Sequence, residues 1–130
     1  MTRVLASFLL LVWCSVAAQA NSFNRTVPSG QSKRVALYTA WDPKYCGSVF
    51  GVVKVTTKPQ HGTLSNRVMD AKIGASRFGS SSQCFGQPTK GLAVFYAARG
   101  GYHGPDSFVL DISWPAINKQ STDSYTITVE

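Results

Sequence analysis

The chain has 130 residues, with 13 Lys and Arg against six Asp and Glu, two His and three Cys, for a formal net charge of +7. Hydrophobic residues make up 44%, enough to bury one core, which excludes a highly charged disordered chain and leaves room for a single domain of ordinary size. No run of clustered charge marks a polyanion site, so the basic excess bears on association with anionic surfaces and not on the fold.

Residues 1–20 read as a secretory signal peptide. Arg3 is followed by the apolar run VLASFLLLVW and then by CSVAAQA, with Ala18 and Ala20 at the small-residue positions of a peptidase site. The apolar run is shorter than the roughly 20 residues a spanning helix needs, so no stable membrane insertion is expected. Trp13 before Cys14 breaks a lipidation pattern. Cleavage leaves residues 21–130 as one domain that keeps Cys46 and Cys84. An even cysteine pair in an oxidising compartment is expected to be bonded, and closing such a loop stabilises a small domain by about 3 to 4 kcal/mol.

Beyond residue 20, short runs alternate apolar and polar residues between Gly, Pro, Asn, Asp and Ser. That is the pattern of strands, and no helical period is sustained. SFNRTV is a candidate edge strand. In KRVALYTAW, Val35 and Leu37 share one face; in VFGVVKVTT, Val53 and Val55 point inward while Lys54 and Thr56 point to water. A turn at KPQHG leads to TLS and then to a weak strand, NRVMDAKI. The segment from Gly74 to Gly91 interrupts the pattern. A structureless loop of that length is uncommon unless it is functional or tied down, and Cys84 inside it predicts that it is tied down. GLAVFYAA places Leu92, Val94 and Tyr96 on one side, SFVLDISW does the same with Phe108, Leu110 and Ile112, and DSYTITVE with Tyr125, Ile127 and Val129. Six to eight such strands predict an all-β, antiparallel immunoglobulin-like sandwich of about seven strands. An open barrel is the alternative.

The stretch GGYHGPDSFVLDI reads as a corner of the fold. Gly100, Gly101 and Gly104 are free to take positive φ. Asp106 is placed to accept hydrogen bonds from backbone N–H groups of its own turn, and Phe108 opens the inward face of the next strand.

On these residues the chain resembles bacterial immunoglobulin-like and cadherin-like repeat domains, whose pattern runs through an aromatic-x-Tyr strand to Gly-x-Asp-Ser-Phe. Tyr96, Tyr102, Gly104, Asp106, Ser107 and Phe108 fall on that pattern, and Pro59, Gly62 and Thr63 match the family's Pro-x-x-Gly-Thr turn. The chain departs from it at Ala98, where the family has proline, in its longer segment before GLAVFY, and in its cysteine pair. The resemblance implies a sandwich fold, here as a single exported module.

Catalysis by a hydrolase needs a nucleophile, a base and an orienting group. His61 and His103 both precede glycine in expected turns, outside any nucleophile-elbow or protease motif, so no catalytic residue is assigned. Oxidised cysteines cannot hold zinc, and the aspartates at 42, 70, 106, 111 and 123 are scattered, so neither metal nor cofactor is expected. Export makes nucleic acid a poor partner, although Phe78 and Phe95 lie among Arg77, Lys90 and Arg99. The expectation is a non-enzymatic periplasmic or secreted module of the bacterial envelope that engages an envelope protein or an anionic envelope polymer. Arg67, Lys72, Arg77 and Lys90 on the long loop form the candidate binding set. The alternative is a structural or inhibitor-like protein that docks through an edge strand or a loop.

Overall fold

The computed structural model describes residues 19–74 and 83–130, so the expected leader up to residue 18 and Arg77 lie outside the described residues. The described chain is all-β. Its strands are β1 (Gln19–Val27), β2 (Ser32–Tyr38), β3 (Ala40–Trp41), β4 (Ser48–Val49), β5 (Val52–Thr57), β6 (Gly62–Lys72), β7 (Pro88–Ala98), β8 (Gly104–Trp114) and β9 (Lys119–Val129). A four-stranded sheet runs β1-β9-β8-β5, a three-stranded sheet β2-β7-β6, and β3 pairs with β4. All pairings are antiparallel except that of β1, which lies parallel to β9.

The core forms where the inward rows of the two larger sheets meet. Phe108, Leu110 and Ile112 on β8, and Tyr125, Ile127 and Val129 on β9, are each at most 2% exposed, as the alternation of their strands requires. Val94 and Tyr96 of β7 join them in one cluster with Val35 and Tyr38 of β2 and Val27 of β1. Full burial of each large side chain stabilises the fold by about 1.5 to 3 kcal/mol. Aromatic rings run through this core as a ladder. Phe23 stacks on Tyr125 at 5.1 Å between centroids, Tyr125 on Phe108 at 4.9 Å, and Phe108 faces Tyr96 at 6.2 Å.

Several expected details are corrected. Leu37 does not share the face of Val35, which lies in the core. A register shift between Arg34 and Ala36 inserts Val35 as an extra inward residue, after which Ala36 and Tyr38 take the buried positions. Val55 is 37% exposed, because β5 is the outer strand of its sheet and little packs over its end. TLS and NRVMDAK belong to one eleven-residue strand, β6, with Ile73 just beyond its end, and the irregular segment ends early because β7 begins at Pro88. β1 begins at Gln19, two residues before the expected start of the domain at Asn21.

The two flanks of the molecule differ. On one, Arg25 closes the gap between β1 and β2, its Nε donating to the Val35 carbonyl at 2.9 Å while its guanidinium lies 5.3 Å from the Phe23 ring centroid. Lys33 Nζ donates to the Thr26 carbonyl nearby. On the other, an open cleft of about 250 Å³ separates β5 from β6, lined by Val55, Lys58, Pro59, Gly62, Thr63 and Leu64.

The expected disulfide is present, joining Cys46 to Cys84 with their Cα atoms 5.4 Å apart. Asp42 prepares the first cysteine. Its Oδ1 accepts the N–H groups of Lys44 and Tyr45 and its carbonyl that of Cys46, so the chain reverses in one turn and leaves Cys46 at φ 57°. Trp41, Ile73 and Cys84 make a small second core around the bridge.

Candidate functional site

Asp106 holds the glycine-rich corner, in a way that differs from the expected turn. It sits inside β8, 7% exposed, and only one of its partners, the Ser107 N–H at 2.9 Å, belongs to its own stretch. The others come from elsewhere: Gln60 N–H on Oδ1 at 3.0 Å, His61 N–H on Oδ2 at 2.9 Å, and the Tyr96 hydroxyl on Oδ2 at 2.7 Å. The carboxylate therefore pins the β5–β6 turn to β7 and β8. Burial pushes its pKa up, but the donors from Gln60, Tyr96, His61 and Ser107 outweigh burial and hold it below the usual carboxylate range. Burial first, and then the bond to Asp106, raises the Tyr96 phenol well above its ordinary value. Gly101 and Gly104 take the positive φ expected of them, at 82° and 141°, whereas Gly100 does not.

His61 stacks flat on Tyr102, with centroids 3.8 Å apart and planes 4° from parallel, so its ring is a packing surface for the corner. Among the described residues no three His, Cys, Asp or Glu side chains gather as a metal site.

A second polar cluster escaped sequence reasoning. Asp123, fully buried on β9, accepts the Tyr38 hydroxyl at 2.8 Å and the Ser121 hydroxyl at 2.6 Å, while Asn21 Nδ2 reaches both Ser121 and Asp123. Tyr38 and Tyr125 share a 2.7 Å hydroxyl contact. Burial, the bond to Tyr125 and then Asp123 push the Tyr38 phenol far above its ordinary range. Ser121 and Asp123 are in step with Tyr125 on the inward side, which was the available signal.

The described members of the predicted basic set, Arg67, Lys72 and Lys90, do not form one surface. Arg67 and Lys72 lie on β6 and Lys90 on β7, so they are strand residues and not loop residues. The register pairs Asp70 with Lys90 and Lys72 with Pro88, in the row that runs on to Leu92 and Tyr96, whereas Arg67 pairs with Ala93 in the opposite row. Side chains alternate between faces along a strand, so Arg67 points away from Lys72 and Lys90. Asp70 also neutralises Lys90 in a direct ion pair.

The structure assembles a different basic face. On the outer side of β2-β7-β6 the register aligns Arg34, Phe95 and Ser65 across the three strands. The guanidinium of Arg67 lies over the Phe95 ring at 4.4 Å. Beside Phe95, β7 carries Thr89, Gly91, Ala93 and Ala97 in this row; Thr89 and Ala93 are buried, and Leu37 lies close enough to Gly91 that an added Cβ would meet its Cδ1 at 2.8 Å. β6, which among the described residues pairs with β7 alone, also presents an eleven-residue strand edge with Val68 54% exposed.

No protein-family model matches the sequence, and no curated protein matches it. Among solved structures the solution structure of amebosin is similar, at 15% sequence identity, aligned over 87% of this chain and 100% of that chain with a TM-score of 0.41.

Proposed function

We propose that the chain is an exported, non-enzymatic immunoglobulin-like module that binds a protein partner by adding an extended segment of that partner to β6. In support of the sandwich, the sheet orders β2-β7-β6 and β9-β8-β5 follow in chain order the two layers of seven-stranded immunoglobulin-like domains, with β1 crossing over to β9. The disulfide fits an oxidising compartment, and no helix among the described residues is long and apolar enough to cross a membrane.

The observation that carries the docking mode is the edge of β6. Eleven residues pair with β7, and among the described residues no strand pairs with the other side of the backbone, which lies next to the cleft that Val55, Pro59 and Leu64 line. Backbone hydrogen bonds along such an edge supply affinity, and the cleft supplies side-chain selectivity. Proteins commonly blunt long edges with proline or a covering loop. β6 contains no proline.

Hydrogen exchange with the partner captured from the source envelope fraction tests the mode. Outward-facing amides of β6 exchange fast in the free domain and become protected in the complex. A complex that protects other strands and leaves β6 unchanged refutes strand addition.

A further inference from the structure

We propose that the outer face of the β2-β7-β6 sheet binds an acidic polysaccharide, with Arg34 and Arg67 as its anion-recognising groups. This face is distinct from the β6 edge, so it does not depend on strand addition.

Three observations converge. First, the face is basic without acidic neighbours. Of the five Asp and one Glu in the chain, Asp70 is in the opposite row of β6, Asp106, Asp111 and Asp123 belong to β8 and β9, and Asp42 and Glu130 lie outside the three strands. Arg34 and Arg67 flank β7 from either side, two strand spacings across and two residues apart along the sheet, about 12 Å between Cα atoms. That exceeds the Debye length of about 8 Å at physiological salt, so an extended polyanion that reaches both is favoured over a single small anion.

Second, Arg67 is already positioned. The Phe95 ring, with its centroid 4.4 Å from the Arg67 guanidinium carbon, holds the group against the sheet, where its N–H groups can donate to a carboxylate or sulfate. Less side-chain freedom is then lost on binding than for an unsupported lysine.

Third, the remaining side chains suit a sugar. Ser65 and Thr63 of β6 and Ser32 of β2 share the outer row, and they offer hydroxyls that both donate and accept. Ala93 is buried and Leu37 covers Gly91, so the accessible part of the middle strand is Phe95 with Ala97, a short strip between Arg34 on one side and Ser65 and Arg67 on the other against which a sugar ring can lie. An acidic peptide would share the charge complementarity, but it would draw its main affinity from a strand edge and not from a row of hydroxyls.

The experiment titrates the mature domain with polygalacturonate, reading backbone amide chemical shifts and affinity. Neutral dextran, poly-glutamate and a single-stranded oligonucleotide serve as comparison ligands. The expected result is salt-sensitive polygalacturonate binding with shifts confined to β2, β7 and β6. Arg34→Ala and Arg67→Ala each weaken it by about tenfold, and Lys58→Ala and Lys119→Ala, which remove the same charge off the face, by less than about twofold. Arg67→Gln, which keeps the stem, replaces Arg67→Ala if the latter lowers the melting temperature. Equal losses from all four substitutions overturn the site, because net charge alone then explains binding. Absence of polygalacturonate binding at low salt overturns it too. Poly-glutamate or the oligonucleotide binding as tightly as polygalacturonate overturns the ligand class.

Discussion

Replacing Asp106 with Asn isolates the charge at the corner while keeping its shape. The native carboxylate accepts four hydrogen bonds, two on each oxygen: Gln60 and Ser107 N–H on Oδ1, His61 N–H and the Tyr96 hydroxyl on Oδ2. An Asn side chain has one oxygen. If its amide nitrogen takes the Oδ2 position, the Tyr96 hydroxyl can turn to accept, but the His61 N–H then faces another donor, and the two bonds that remain lose their charged acceptor. Hydrogen bonds to a charged group contribute about 1.5 to 3 kcal/mol each, and a buried group left without its partner costs a comparable amount. Together these set the loss for Asp106→Asn at about 3 kcal/mol at neutral pH. For a domain near 110 residues that lowers the melting temperature by about 12 to 20 °C.

The same substitution has a pH signature. The folded pKa of Asp106 lies below its unfolded value of about 3.9, so the carboxylate's contribution is fully present above that value and is lost as the pH falls through the folded pKa. Urea denaturation of both proteins across the acid range measures this: the gap between them is widest near neutrality and closes in strong acid. Tyr96→Phe removes one of the four donors and loses about 1.5 to 2 kcal/mol, and its effect is much smaller when Asp106 is already Asn. A neutral-pH loss below about 0.5 kcal/mol for Asp106→Asn, or a gap indifferent to acid, refutes the role assigned to the carboxylate.

Cys46→Ala with Cys84→Ala opens a loop of sequence separation 38 and lowers stability by about 4 kcal/mol in urea titration; a loss under about 1 kcal/mol refutes the clamp. Tyr38→Phe removes bonds to Asp123 and Tyr125 and costs about 2 kcal/mol by the same assay. Because burial raises the Tyr38 and Tyr96 phenols above their unfolded value of about 10, their contribution is complete below that value and fades as the pH rises past it. Wild-type stability therefore falls in alkali, and a Tyr38→Phe, Tyr96→Phe double variant falls less. Gly104→Ala, at φ 141° with Tyr102 Oη 3.1 Å from the new Cβ, costs at least about 1 kcal/mol, whereas Gly100→Ala, with nothing within 4 Å, stays within about 0.5 kcal/mol by thermal melting.

Strands with one wet and one dry face were legible from sequence, since alternation is the physical consequence of that asymmetry. β7, β8 and β9 show it plainly, and their inward rows are the core. The disulfide was legible from cysteine number. The bulge at Val35 was not, because one extra residue flips every later side chain without leaving a compositional mark. Nor were Ser121 and Asp123, since a reading that equates inward with apolar passes over polar residues in the inward row, although their parity with Tyr125 was there to follow.

β6 carries the sharpest lesson, because hydrophobic patterning fails on a strand whose two faces are both largely wet. Asn66, Arg67 and Val68 follow one another and all three are exposed, and among the described residues it is the ladder to β7 that holds them as a strand. Grouping Arg67, Lys72 and Lys90 by nearness in the chain therefore assigned to one loop what the pleat sends to two faces. The register that separates them brings Arg67 over Phe95 and into line with Arg34, which lies more than thirty positions earlier in the chain. A surface built from three strands is invisible to any reading of contiguous charge. For such a protein, the pairing partners of the clearly patterned central strand, and not the density of Lys and Arg along the chain, locate where a ligand can be held.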